Sequence, residues 1–155
     1  MKQAQVSQIF IFVLILIVIS FTIVFGYRAI KNISIQSDEA LMVMFENELK
    51  KDIKSNMAYG FENLIEAELS KKYEIICFIN MSYDEELVSD EYILIKSSVG
   101  SGSRDNVFIG KNLERTFEIE HLEVEDGFFC IDNKIGLIKL HVRGLGDRAF
   151  ISRVD

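Results

Sequence analysis

Residues 9–27 read IFIFVLILIVISFTIVFGY, a run without a single charged side chain. As an α-helix, this run is about 28 Å long, close to the hydrocarbon core of a bilayer at about 30 Å. Ser20 and Thr22 are compatible with lipid because each hydroxyl can donate to a carbonyl one turn earlier. The run lacks the polar face of a soluble amphipathic helix. The sequence therefore predicts a transmembrane helix over residues 5–27.

A removed secretory signal peptide would share this apolar character. Its apolar region is usually about 7–15 residues long and ends at a small-x-small cleavage site. Here the run is longer and ends in Gly26-Tyr27-Arg28, so we expect the helix to be retained. The basic residues on its two sides, Lys2 before it and Arg28 and Lys31 after it, are too evenly balanced to set its orientation.

The residues before the helix resemble the processing region of archaeal type IV pilin-like proteins, which carry a class III signal peptide. In that family a short charged leader ends in a small residue, Gln follows the cut, and Ser lies two residues later. Lys2, Ala4, Gln5 and Ser7 fit those places. The resemblance implies a leader over residues 1–4, which a prepilin-type peptidase removes between Ala4 and Gln5. It also implies a cytoplasmic N-terminus and a C-terminal domain at the cell surface.

The chain departs from the family pattern at two positions. Gln3 stands where a basic residue usually precedes the small one. Many members have a carboxylate four residues after the first mature position, where it helps subunit registration, and this chain has Ile9 there. The resemblance covers residues 1–30 and implies a surface or accessory structural subunit, with pilin-like subunits as partners. The alternative is an anchored binding module that does not polymerise.

Residues 28–60 carry a second helical pattern, which is amphipathic and predicts a stalk helix. Ser37 is the predicted N-cap and Gly60 the predicted stop. Two interpretations fit the apolar face of this helix. It packs on the domain's own sheet, which is the favoured interpretation, or it packs on other subunits. Its apolar residues recur every four positions: Leu41, Phe45, Leu49, Ile53 and Met57.

Residues 61–155 predict a β-rich domain outside the membrane, because their apolar and β-branched residues recur in short runs. The predicted strands are 62–69, 73–80, 106–109, 116–121, 128–131, 134–142 and 148–152. Strand 73–80 is apolar on both faces and should be central. Turns at 132–134 and 144–147 predict that the last three strands form a meander. Residues 85–98 fit a helix or a strand. The expected class is α+β, in which the two consecutive helices lead to a mainly antiparallel sheet.

Cys77 and Cys130 both fall within predicted strands. In a domain outside the membrane they can form a disulfide, which would close a loop of about fifty residues and contribute about 4 kcal/mol. The alternative is two separate buried thiols that pack as small hydrophobes. Two cysteines are too few for a zinc site.

No group of residues has the spacing of an active site, so we expect a protein that is not an enzyme and uses no cofactor or metal. His121 and His141 stand in predicted strands without a partner cluster and should face solvent. One acidic run should be the solvated face of a strand, because it lacks the Asp/Asn and Gly pattern of a calcium loop. An anchored hydrolase that used this run as acid and base is the least favoured reading. The run comprises Glu118, Glu120, Glu123, Glu125 and Asp126.

The net charge of −7 and the absence of a basic run argue against nucleic-acid binding, which needs clustered Lys and Arg. The partner that the sequence itself predicts is a lipid bilayer.

Overall fold

A computed structural model describes the backbone of residues 3–80 and 88–154, and the side chains of residues 10–31, 37–80 and 88–154. Helix α1 spans Gln3–Ser55. The chain divides into two compact units, Met1–Glu39 and Ala40–Asp155.

The first unit is the N-terminal part of α1. Its segment Phe10–Lys31 has a mean hydropathy of 2.8, and none of it is buried. Ser20 Oγ donates to the Leu16 carbonyl and Thr22 Oγ1 to the Val18 carbonyl, each at 2.8 Å, which is the bonding expected for hydroxyls in an apolar helix. By length and composition the segment is able to cross a membrane.

The second unit contains the rest of α1, a short helix α2 and two four-stranded sheets. Helix α2 spans Ile93–Gly100 after a 3₁₀ turn at Asp90–Tyr92. The strands are β1 Glu62–Glu68, β2 Ile75–Ile79, β3 Val107–Ile109, β4 Arg115–Phe117, β5 Leu122–Val124, β6 Phe128–Asp132, β7 Leu137–Gly144 and β8 Ala149–Arg153. The first sheet has the order β1-β7-β8-β5 and the second β4-β3-β2-β6. Among these pairs β5–β8 is parallel and the others are antiparallel.

One hydrophobic core joins α1 to both sheets. Phe45 and Leu49 of α1 belong to the same buried cluster as Leu140 of the first sheet and Phe78 and Val107 of the second. Burying apolar surface of this kind is the main force that holds such layers together, at roughly 25 cal/mol per Å². The amphipathic stripe of α1 therefore packs within its own domain.

A second, smaller core lies on the other face of the second sheet. It contains Ile75, Cys77 and Phe108 from the sheet and Ile95 from α2. Strand β2 is thus buried on both faces, and all five of its residues are buried, as predicted for a central strand.

The meander predicted for the last three strands is wrong. Strands β7 and β8 do form an antiparallel hairpin, but β6 pairs with β2 in the other sheet. The reason is that β6 has apolar residues on both faces, with Phe129 in the main core and Phe128 and Cys130 against the smaller one. It therefore needs a sheet that is covered on both sides.

Two further stretches differ from prediction. The strand predicted over residues 116–121 ends at Phe117, and β5 was not predicted. Residues 93–100 form α2 after the 3₁₀ turn, so the helical alternative holds for residues 90–98, while Val88 and Ser89 are not helical and residues 85–87 lie outside the described residues. Helix α1 ends at Ser55, before the predicted stop, and Gly60 forms the turn into β1 at φ +77°.

Candidate functional site

The predicted processing region lies at the start of α1. The backbone is helical from Gln3 onward, so Ala4, Gln5 and Ser7 are all part of the helix. Lys2 lies outside the described residues, as do the side chains of Ala4, Gln5 and Ser7.

The apolar surface that follows is the most distinctive feature of the first unit. Large side chains are exposed all around the helix, for example Phe10, Ile17 and Phe25. Soluble monomers rarely expose a contiguous apolar surface of more than a few hundred Å². This segment therefore needs an apolar environment around it.

The disulfide between Cys77 and Cys130 is present, which confirms the pairing prediction. The two residues stand directly opposite each other on β2 and β6, with their Cα atoms 4.0 Å apart. Cα atoms more than about 7 Å apart could not be bridged without moving the backbone. A disulfide of this kind is typical of domains in oxidising compartments outside the cytoplasm.

Two asparagines hold the connection between the sheets in place. Asn106 donates to the Ile119 carbonyl and accepts from the Ile119 N–H, both at 2.8 Å. Asn80 accepts from the Val124 N–H at 2.7 Å and donates to the Val124 carbonyl. Each side chain thus substitutes for one rung of a strand ladder. Sequence reasoning missed this role, although both asparagines directly flank apolar strand runs, a signal for such contacts.

We predict that Asn106→Ala lowers the free energy of unfolding by about 2–3 kcal/mol, because it leaves both backbone groups of the buried Ile119 without their partner. Denaturant unfolding of the full chain in detergent, followed by circular dichroism, measures the change. Asn112→Ala is the matched control, since Asn112 is exposed on the turn before β4. Equal losses for the two variants would contradict the structural role of Asn106.

The histidines occupy different environments. His141 lies on β7 with Nε2 3.2 Å from Glu62 Oε1 and is partly exposed, in line with its prediction. His121 is exposed but lies between β4 and β5 with φ +59°, not in a strand. Its carbonyl accepts a hydrogen bond from the Ala149 N–H at 2.9 Å.

The acidic run is spread over the connection to β5, β5 itself and the 3₁₀ turn that follows, so its assignment to one strand face is wrong. Glu118 contacts Arg104 at 3.4 Å and Glu123 contacts Arg148 at 3.5 Å. Among the described residues, no group of three or more His, Cys, Asp or Glu side chains is arranged to hold a metal ion.

A polar cavity of about 410 Å³ lies beside this connection, lined in part by Asn80, His121 and Asp147. Arg148 donates hydrogen bonds to Asp147, and this lowers the pKa of the Asp147 carboxyl. Arg148 also contacts Glu123. The Arg148 guanidinium is therefore shared between two carboxylates beside the cavity.

Comparison of the chain with protein-family models, with curated proteins and with solved structures gives no match.

Proposed function

We propose that this protein is a membrane-anchored, pilin-like surface or accessory subunit that is structural and not an enzyme. The exposed apolar segment Phe10–Lys31 carries the proposal. A span of that length and hydropathy matches the hydrocarbon core of a bilayer. Lipid supplies the apolar environment that the segment needs.

The disulfide supports a location of the second unit outside the cytoplasm. With Phe10–Lys31 as the membrane span, the N-terminus would then lie in the cytoplasm. This is the orientation that the resemblance of Ala4, Gln5 and Ser7 to a class III processing site also implies. A helix leading into an antiparallel sheet fits a pilin, but anchored receptors share that outline, and the fold alone names no function.

An accessory role is favoured over a long homopolymer. In lipid, an apolar helix gains little from meeting another, so association needs close packing or polar contacts. The hydroxyls of Ser20 and Thr22 already donate to carbonyls of their own helix. Ile9 also replaces the usual registration carboxylate. The same observations favour the second candidate, an anchored binding module that never polymerises.

The expected result for the full chain, expressed in a host with a prepilin-type peptidase, is retention in membranes after high salt and alkaline carbonate. Mass spectrometry should show a mature chain that starts at Gln5. Ala4→Phe should block processing, because the family requires a small residue before the cut. Val6→Phe, with the same added bulk on the other side of the cut, is the control and should be processed.

Each alternative gives a different result. Release into the soluble fraction would refute the anchor, and a chain starting after Tyr27 would identify a removed signal peptide. A membrane-bound chain that starts at Met1 would favour the binding module. Electron microscopy of sheared surface material tests polymerisation, and filaments made mainly of this chain would refute the accessory role.

A further inference from the structure

Among the described residues, β1 is the longest strand that stands at an edge of either sheet. It spans seven residues, Glu62–Glu68, and its one neighbour in the first sheet is β7. The other edge strands are β4 and β5, with three residues each, and β6, with five. Every residue of β1 pairs with β7 in one continuous register, so no bulge interrupts it. The side of β1 away from β7, which we call the open side, is therefore a regular strand edge of the kind that accepts another strand.

Two hydrogen bonds show which backbone groups of β1 face the open side. The Gly144 N–H donates to the Phe61 carbonyl at 2.7 Å, and the Leu69 N–H donates to the Gly136 carbonyl at 3.1 Å. Phe61 and Leu69 flank β1 in the chain, and both direct these backbone groups at the partner side. Because this direction alternates along a strand, the even-numbered residues of β1 direct their N–H and C=O groups at the open side. An added strand would bond to these groups.

The side chains of the same residues stand in one exposed row. The intervening Ile65 and Ala67 belong to the main core, so the row lies on the face of the first sheet that is turned away from the core. Leu64 within the row is 47% exposed. Glutamates are thus the nearest charged neighbours on this face for a strand added at the open side. The row consists of Glu62, Leu64, Glu66 and Glu68.

Strand β7 shows what pairs with this row. On the same face, Lys139 stands opposite Glu66 and forms an ion pair with it. His141 Nε2 lies 3.2 Å from Glu62 Oε1, and Arg143 stands opposite Glu62. Strand β7 thus presents basic side chains to β1 at alternate positions. Opposite charges directly across a strand pair stabilise the pair, so a second strand of this pattern suits the open side.

A second copy of β1 does not suit the open side. Two antiparallel copies would bond through their even-numbered residues, which limits the possible registers. Centred on Leu64, the pair sets Glu62 against Glu66. Centred on Ile65, it sets Glu62 against Glu68, and centred on Glu66 it sets that residue against its own copy. Like charges directly opposite each other are destabilising, so the row of glutamates disfavours self-pairing and selects a different chain.

We propose that the open side of β1 binds an extended segment of another protein, with lysine or arginine at alternate positions, as an added strand. The even-numbered residues of β1 bond to the main chain of the segment. Glu62, Glu66 and Glu68 then lie between its basic side chains and those of β7. In strand addition of this kind main-chain bonds supply affinity and side chains supply selectivity. The inference concerns the second unit by itself and does not depend on the membrane anchor.

A blocked peptide, acetyl-Thr-Lys-Val-Lys-Val-Lys-Thr-amide, is the probe, and the protein is the full chain in uncharged detergent at physiological salt. Fluorescence anisotropy of the labelled peptide gives its dissociation constant. The peptide should bind at least about tenfold more tightly than its counterpart with Glu in place of Lys, as expected for three cross-strand charge pairs. The same lysine peptide with N-methyl groups on its lysine backbone nitrogens keeps its charge but loses its donors. It should bind at least about tenfold more weakly.

Hydrogen exchange gives a signature that charge alone does not produce. Binding of the lysine peptide should slow exchange at the amides of Leu64 and Glu66, which face the open side. The amides of Ile65 and Ala67 face β7 and should keep their exchange rates. NMR of the isotope-labelled chain, recorded with and without the peptide, resolves these amides individually.

One backbone variant tests the open side directly. Leu64→Pro removes an N–H that faces the open side and leaves the bonds to β7 in place, since proline is tolerated in edge strands. It should abolish binding of the lysine peptide. Leu64→Val keeps the N–H and should bind the peptide as the unsubstituted chain does. Circular dichroism checks that both variants are folded.

A charge variant provides a test that leaves the backbone of β1 unchanged. Replacing Glu62, Glu66 and Glu68 together by Gln should weaken binding of the lysine peptide about tenfold. The matched control makes an equal charge change at exposed residues outside β1 and should leave binding unchanged. It replaces Glu91, Glu114 and Glu120 by Gln.

Each contrary result overturns a stated part of the proposal. Equal affinity for the lysine peptide and its N-methylated form, or equal slowing at all four amides, would show attraction by charge alone and overturn strand addition. Equal affinity for the lysine and glutamate peptides would overturn the basic partner. If none of the peptides bound at millimolar concentration, the open side would not be a binding site. These results leave the membrane anchor and the processing site unaffected, because those are tested by fractionation and mass spectrometry.

Discussion

Replacing Cys77 and Cys130 together by alanine should lower the free energy of unfolding of the second unit by about 4 kcal/mol. The two residues are 53 positions apart, and freeing a loop of that size restores about this much chain entropy to the unfolded state. At about 4 °C per kcal/mol for a unit of this size, the midpoint of thermal unfolding should fall by about 15 °C. Differential scanning calorimetry of the full chain in detergent measures this change in the midpoint.

The reduced unsubstituted chain is the matched control, because it loses the covalent bond but keeps both sulfur atoms in the smaller core. Its midpoint should fall nearly as far as that of the double variant. If the oxidised and reduced chains unfolded at the same temperature, the disulfide would contribute nothing to stability.

Phe45→Ala should cost about 3–5 kcal/mol, the range for removing a buried aromatic side chain from a packed core. Phe45 is 1% exposed and belongs to the cluster that joins α1 to both sheets. The cavity would therefore lie where the layers meet. Urea unfolding of the full chain in detergent, followed by circular dichroism, gives the change in free energy.

Val43→Ala is the control for Phe45→Ala, since Val43 lies two residues earlier on the same helix and is 50% exposed. Its cost should stay within about 0.5 kcal/mol, as for most surface substitutions. A comparable loss for both variants would show that the burial of Phe45 does not determine the effect, because both substitutions introduce the best helix-forming residue.

The sequence predicts α1 well but misplaces the ends of its buried stripe. Each residue turns an α-helix by about 100°, so residues spaced by four drift by about 40° per step. Leu41, eight positions before Leu49, lies about 80° away from it and is only partly buried, and Met57, also partly buried, lies beyond the end of the helix at Ser55. Met42, seven positions before Leu49, lies about 20° away and is 1% exposed. A stripe that follows the period of 3.6 residues therefore includes Met42 at one end.

The division of the strands between two sheets could not be read from local patterns. The turn at residues 132–134 has the composition of a hairpin turn, but Asn133 binds carbonyls that lie 60 to 64 residues earlier in the chain. Strand β5, with three residues, is too short to show a period. The cysteines could be proposed as a pair, but their register depends on the pairing of β2 with β6, which is a non-local contact.

The place of β8 in the first sheet has a consequence for biogenesis. Because β8 lies between β7 and β5, the first sheet cannot be completed until residues 149–153 have joined it. In a chain that emerges N-terminus first and is anchored as proposed, α1 would reach the lipid while this sheet was still open. Membrane insertion of α1 would then precede folding of the second unit. A ribosome that stalled before β8 would leave an anchored chain in which β7 and β5 each lack a neighbouring strand. Such a chain would be a substrate for membrane-bound proteases and chaperones.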